Sequence, residues 1–137
     1  MDQDVLEERL KWWAITALFV IFNALLCVWN TAGLTARACR DGDEPAEKRL
    51  RNCSISMTVG AWTHISKTER AKGAIVDLER GIALFDLGRL DEAKDAFALA
   101  RRNASQGGRF AARLDARIEA LGDPDALALW QSVTAGR

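Results

Sequence analysis

The most distinctive feature of the chain is a long run of apolar positions close to its N-terminus. No residue is charged between Trp12 and Ala36. A helix rises about 1.5 Å per residue and a bilayer core is about 30 Å thick, so roughly 20 apolar residues can cross it. Tryptophan rings favour the headgroup regions, and the run is bordered by Trp12, Trp13 and Trp29. The pattern predicts a transmembrane helix over residues 12–34.

Two alternatives to a retained membrane anchor are a buried core helix and a cleaved signal peptide. A chain of 137 residues could hardly cover such a helix on all sides, which argues against the first. Ala36-Arg37-Ala38 has the small-x-small form of a cleavage site, but the apolar run is longer than the usual signal-peptide core. We therefore expect a retained anchor, with a cytoplasmic tail over residues 1–11 and an outer domain over residues 35–137.

Beyond the apolar run, apolar residues recur at the three- and four-residue steps of amphipathic helices. Thr31 to Ala38 is expected to form a short linker. Helices are then predicted over about 45–59, 66–87, 91–102 and 110–121, with a short closing helix from Pro124. The stops and starts include Gly88 after the second helix, a capping box from Ser66 to Glu69, and Asp123 as an N-cap.

No stretch alternates polar and apolar residues for long enough to suggest a strand. The predicted fold class is therefore all-α: a single transmembrane helix plus a small domain of about four to five helices.

The charge balance and the scarcity of chemical motifs exclude several function classes. The chain has 19 basic and 19 acidic residues and no arginine-rich stripe, so no nucleic-acid partner is expected. Its one histidine, His64, and scattered carboxylates do not make a metal site. Phosphate-binding glycine loops and nucleophile motifs are absent from the sequence. We expect no cofactor, no small-molecule substrate and no enzymatic activity.

Two sequence signals disagree about which side of the membrane the domain faces. Basic residues are more frequent after the apolar run than before it, which favours a cytoplasmic domain. Cys39 and Cys53 favour the opposite side if they form a disulfide, because such a bond persists only in an oxidising compartment. It would close a loop of about 15 residues, worth about 3 kcal/mol in the chain-entropy model. Two free thiols in a cytoplasmic domain are the alternative.

A helical-hairpin motif occupies the middle of the chain. Gly81 to Ala100 reads GIALFDLGRLDEAKDAFALA, with small residues where two antiparallel helices would approach and an aromatic residue to fill the space between units. The segment from Ala74 to Gly107 resembles a tetratricopeptide repeat (TPR), a helix-turn-helix unit of about 34 residues. The resemblance implies that its packing residues are Gly81, Leu84, Gly88, Ala93, Phe97 and Ala100. A generic helical hairpin is the alternative, since Asp77 and Ser105 depart from the pattern. A second unit 34 residues later is degenerate, because Asp115 stands where the first unit has Gly81.

The region upstream of this motif extends the resemblance. Cys39, an acidic turn and Asn52-Cys53-Ser54 precede the repeat, an arrangement similar to small exported TPR proteins of alphaproteobacteria. This resemblance implies a Cys39–Cys53 disulfide. It also implies a bacterial inner-membrane protein with one span and a periplasmic C-terminal domain.

One polar residue, Asn23, interrupts the apolar run near its centre. An amide in hydrocarbon either bonds locally or joins two helices, at roughly 0.6 to 2 kcal/mol. In the second case the anchor would contact other membrane helices.

Taken together, the apolar run, the repeat resemblance and the lack of catalytic motifs favour a non-catalytic interaction subunit of an integral-membrane complex in the lipid bilayer. Respiratory and photosynthetic complexes are examples. The alternative is an assembly factor or chaperone for an envelope or cytochrome complex.

Overall fold

The computed structural model describes residues 3–60, 67–105, 108–133 and 135. Within those ranges the chain forms six α-helices and no strand, so the predicted all-α class is confirmed. The helices are α1 (Gln3–Arg40), α2 (Ala46–Gly60), α3 (Lys67–Asp86), α4 (Leu90–Ala104), α5 (Arg109–Glu119) and α6 (Pro124–Ser132). The capping box predicted at residues 66–69 begins outside the described residues.

Helix α1 is one uninterrupted helix of 38 residues, about 57 Å long at the standard rise. The linker predicted over Thr31 to Ala38 is wrong, because these residues continue the helix. They include no proline, and the Thr31 and Thr35 hydroxyls donate to the carbonyls one turn earlier, at 2.8 and 2.7 Å. The expected boundary between residues 34 and 35 thus falls inside a single helix, so anchor and domain share a continuous backbone element.

Helix α2 turns back antiparallel to α1 and packs against its C-terminal third. The turn between them is tightened by Asp41, whose carboxylate accepts a hydrogen bond from the Asp43 backbone N–H at 3.2 Å. Pro45 precedes α2, and its carbonyl accepts from the Arg49 N–H at 3.0 Å. Helix α2 is described as far as Gly60, and its predicted end borders residues 61–66, which lie outside the described residues.

Helices α3 and α4 form a second antiparallel hairpin around Gly88. This glycine has φ +72°, a left-handed conformation that residues with a Cβ adopt only with strain. The Arg89 N–H donates to the Leu84 carbonyl and the Gly88 N–H to the Phe85 carbonyl, both at 2.9 Å. This is the glycine-dependent helix stop of a Schellman motif, and it places Gly88 in the turn, as predicted.

Most of the core lies between the last four helices. Phe97 of α4 is fully buried at its centre and meets Trp130 of α6 edge to face, with ring centroids 5.6 Å apart. The buried cluster consists of Ala71, Ala74, Leu78, Ile82, Phe97, Ala100, Ala104, Phe110, Leu114, Ile118 and Trp130. A smaller cluster of Leu84, Ala93 and Ala96 packs against Leu50, which attaches α2 to the second hairpin.

Helices α5 and α6 close the domain as a third hairpin. The Asp123 carboxylate accepts hydrogen bonds from the N–H groups of Asp125 and Ala126, at 2.9 and 3.1 Å, which confirms the predicted N-cap. Trp130 is only 2% exposed, so it supplies most of the buried face of α6.

Candidate interaction surfaces

Helix α1 presents an apolar surface that no other part of the described chain covers. None of its most apolar 18-residue window is buried, and the helix is long and apolar enough to cross a membrane. Trp12, Trp13 and Trp29 are 64%, 73% and 71% exposed. Among the described side chains, every exposed large apolar residue except Leu90 lies on α1. Helix α1 is therefore a candidate membrane span, and a signal sequence would have the same character.

Asn23 lies on this exposed surface of α1. Its side-chain nitrogen donates to the Phe19 carbonyl, one turn earlier, at 2.8 Å. An asparagine amide has two N–H donors and an acceptor oxygen, so this local bond uses only one of its capacities. Asn23 is exposed, so its remaining capacities are open to a group on a second helix.

The junction between anchor and domain is a disulfide-linked helix pair. Cys39 of α1 and Cys53 of α2 form a disulfide, with Cα atoms 4.7 Å apart and both side chains fully buried. Further along the pair, the Ser56 hydroxyl donates to the Ala32 carbonyl at 3.4 Å. The disulfide and this contact hold α2 against α1 over several turns, so the helical domain is fixed to the C-terminal end of α1.

The residues identified by the repeat resemblance come together in the second hairpin. Gly81 lies against the Phe97 ring so closely that a Cβ built on it would overlap ring atoms. Leu84 and Ala93 share the smaller buried cluster, while Ala100 packs beside Phe97 in the larger one. Small residues at the crossing thus admit the aromatic ring between the helices.

Two acidic residues that depart from the repeat pattern have structural partners. Asp77 of α3 is 4% exposed and accepts a hydrogen bond from the Asn103 amide of α4 at 2.8 Å. The Asp115 carboxylate of α5 accepts from the Arg101 guanidinium at 2.7 Å and from the Trp130 indole N–H at 2.9 Å.

The Arg101 guanidinium also lies 5.4 Å from the centre of the Trp130 ring, a cation–π distance. Arg101, Asp115 and Trp130 therefore connect α4, α5 and α6. Residue spacing alone could not reveal this network, because its members belong to three different helices.

A groove of about 230 Å³ lies between α2, α3, α5 and α6 and mixes charged with apolar lining. On one side Arg49, 7% exposed, pairs with Asp86 and donates to the Glu44 carbonyl at 3.1 Å. The lining residues are Gly42, Arg49, Ile82, Phe85, Asp86, Arg117, Leu121, Asp123 and Ala126.

On the other side of the groove, Arg117 donates to both oxygens of the buried Glu79 carboxylate, at 2.6 and 3.2 Å. This side-chain hydrogen bond raises the pKa of Arg117 above its ordinary value, so Arg117 stays charged at every physiological pH and its ion pair with Glu79 holds one wall of the groove. We call this concave surface the inter-hairpin groove.

The described part of the chain offers no assembly for metal chemistry. No group of three or more His, Cys, Asp or Glu side chains lies together among the described residues. His64 lies outside the residues that the structure describes.

The chain matches no protein-family model, and it has no significant match among curated proteins or solved structures. The relationship to tetratricopeptide repeats therefore stays a prediction carried by the sequence pattern. The functional argument depends on the exposed face of α1, the disulfide-linked junction and the inter-hairpin groove.

Proposed function

We propose that this chain is a non-catalytic interaction subunit of a larger bacterial inner-membrane complex. Helix α1 anchors it in the bilayer as a single span, and the helical domain binds a partner subunit on the periplasmic side. The observation that carries the proposal is the wholly exposed apolar surface of α1, which is stable in lipid and costly in water.

The periplasmic side is supported by the disulfide between Cys39 and Cys53. Disulfides persist in the periplasm and are rare in the reducing cytoplasm. The basic residues after the span favour the opposite orientation. We give the disulfide more weight, because each of its cysteines is buried at the α1–α2 contact and the bond belongs to the folded structure.

The rigid junction supports a role in assembly. A domain fixed to its anchor keeps one height and one rotation relative to the bilayer, so it presents the same surface to a neighbouring subunit each time. The inter-hairpin groove is the part of that surface that we expect to contact the partner. It is concave, and it combines apolar contacts from Phe85 and Leu121 with the Arg49–Asp86 and Arg117–Glu79 ion pairs.

Co-purification tests the proposal most directly. The tagged full-length chain, extracted in mild detergent, should retain the same partner proteins at fixed stoichiometry by mass spectrometry. Recovery as a lone chain would contradict an interaction subunit. Sub-stoichiometric recovery, with loss of a mature complex on deletion, would favour the assembly factor instead.

A matched pair of glycine variants tests the groove. Gly42 lies on the groove edge and Gly108 lies away from it, and a Cβ added at either meets nothing within 4 Å. We expect Gly42→Trp to lose the partner and Gly108→Trp to keep it. Equal retention by both variants would remove the groove from the proposal without affecting the membrane anchor.

Orientation is tested separately in spheroplasts. A C-terminal tag should be digested by added protease while the inner membrane is intact. Protection of the tag until the membrane is lysed would place the domain in the cytoplasm and refute the periplasmic assignment.

A further inference from the structure

Polar residues on α1 recur at a fixed interval of seven. Thr16, Asn23 and Asn30 are seven residues apart, and each is followed by a small residue or threonine: Ala17, Ala24 and Thr31. A second series with the same spacing, Val20, Cys27 and Leu34, lies between them. Together the two series give the alternating three- and four-residue steps of a coiled-coil contact. We call Thr16, Val20, Asn23, Cys27, Asn30 and Leu34 the heptad seam.

The heptad seam lies on the side of α1 opposite to the domain. Ala32 comes nine positions after Asn23, which is about two and a half turns at 3.6 residues per turn, so the two residues lie on opposite sides of the helix. Ala32 contacts Ser56 of α2. Cys39, on the domain side, is fully buried, whereas Leu34 of the seam is 66% exposed. A second helix could therefore lie along the seam without colliding with the helical domain attached to α1.

The seam carries hydrogen-bonding capacity that α1 itself does not use. The Thr16 hydroxyl is satisfied by the Trp12 carbonyl at 2.9 Å, and Asn23 uses one N–H on Phe19. Among the described residues no side-chain partner exists for Asn30, which is exposed. Asn23 lies near the centre of the apolar run, where an amide with unused hydrogen-bonding groups is costly in a bilayer, so a partner group on a neighbouring helix is favoured.

We propose that α1 pairs with α1 of a second copy of this chain, in parallel, along the heptad seam. Asparagine is self-complementary, because one amide both donates and accepts. Identical helices inserted in the same direction bring each asparagine level with its counterpart, as a two-fold interface requires. A strict seven-residue repeat keeps that contact in a left-handed supercoil. The inference rests on the membrane placement in the proposed function and adds the anchor's partner.

Three large apolar side chains on the face away from the seam fit lipid contact. Leu18, Phe22 and Leu25 are 67%, 60% and 64% exposed and lie outside the seam. In the dimer these side chains face the acyl chains.

Cysteine cross-linking in native membranes tests the pairing. Cys27 is a free, exposed thiol in the seam, so membrane-soluble copper–phenanthroline should link two copies into a reducible product of twice the 15.1-kDa chain mass. The matched control moves the thiol by two residues, to Leu25→Cys in a Cys27→Ala background, at nearly the same depth but outside the seam. We expect the seam thiol to cross-link and the control to stay monomeric.

Every other outcome counts against the dimer. Equal cross-linking of both thiols would indicate random collision, and a Cys27 product containing a different protein would indicate a heterologous helix. Absence of a product from chains that resist carbonate extraction would overturn the dimer alone. Release of the chain by carbonate would overturn the membrane placement and with it the proposed function.

A second measurement tests the asparagine contribution. Dimerisation in lipid vesicles, followed by energy transfer between labelled copies, should weaken roughly 3- to 30-fold on Asn23→Leu. Phe22→Leu, on the lipid-facing side, should leave it unchanged. A dimer that is indifferent to Asn23→Leu would show that the seam is not the contact.

Discussion

Replacing Gly81 with alanine should reveal how tightly α3 and α4 are packed. Alanine is favoured over glycine inside a helix by about 0.8–1 kcal/mol. Here the added Cβ would overlap the Phe97 ring, and this ring cannot move freely because it is fully buried against Trp130. Overpacking of this kind costs about 1–3 kcal/mol. Because the overpacking cost outweighs the gain in helix propensity, we expect Gly81→Ala to lower the free energy of unfolding by about 0–2 kcal/mol.

A double-mutant cycle with Phe97→Leu isolates this contact. The smaller side chain removes the ring, so Gly81→Ala should then stabilise the domain by about 1 kcal/mol. Urea unfolding of the full-length chain in detergent micelles, followed by loss of helical circular dichroism, measures all four variants. The cost of Phe97→Leu itself cancels in the cycle. Stabilisation by Gly81→Ala in both backgrounds would refute the close packing described here.

Three further predictions concern the junction, the groove and a surface ion pair. Removing the disulfide with paired Cys39→Ala and Cys53→Ala substitutions should cost about 3 kcal/mol of unfolding free energy by urea titration; an unchanged midpoint would contradict its stabilising role. Glu79→Gln should cost about 1–3 kcal/mol by the same assay, because it weakens charge-assisted bonds to a partly exposed arginine. The hydrogen bond from Arg89 lowers the pKa of Glu92 in the folded protein. The pair should therefore stabilise the fold fully at a pH above the pKa that Glu92 has in the unfolded chain. This stabilisation should be lost as the pH falls through the lower pKa of the folded state. Carboxyl titration by NMR should show a raised pKa for Glu92 in Arg89→Gln; no change would exclude the pairing.

Residues 31–38, predicted as a linker, are helical because of contacts that lie outside their local sequence. Thr31 to Ala38 lies between an apolar run and an acidic turn and has a weak apolar period of its own. The segment is helical because its small residues pack against α2 and because Cys39 bonds to Cys53. That stabilisation comes from residues up to two dozen positions away, which no window of sequence contains.

The two acidic residues that depart from the repeat pattern also depend on contacts between helices. In the sequence Asp77 and Asp115 count against the resemblance. In the structure each accepts hydrogen bonds from another helix, Asp77 from Asn103 and Asp115 from Arg101 and Trp130. Asp77 is buried, and a buried carboxylate is tolerated when it is hydrogen-bonded. The donors to both aspartates become visible only after the helices are assembled.

Length, periodicity and end signals in the sequence determined the approximate number of helices, the apolar N-terminal helix, the stop at Gly88 and the N-cap at Asp123, because these features depend on neighbours within one or two turns. Only the tertiary structure decided that the apolar helix continues into the domain, that Glu79 meets Arg117 and Arg49 meets Asp86, and that a groove lies between the hairpins. Those outcomes depend on how the faces of separate helices pack together. Side-chain volume and charge determine that packing only when the whole core is assembled.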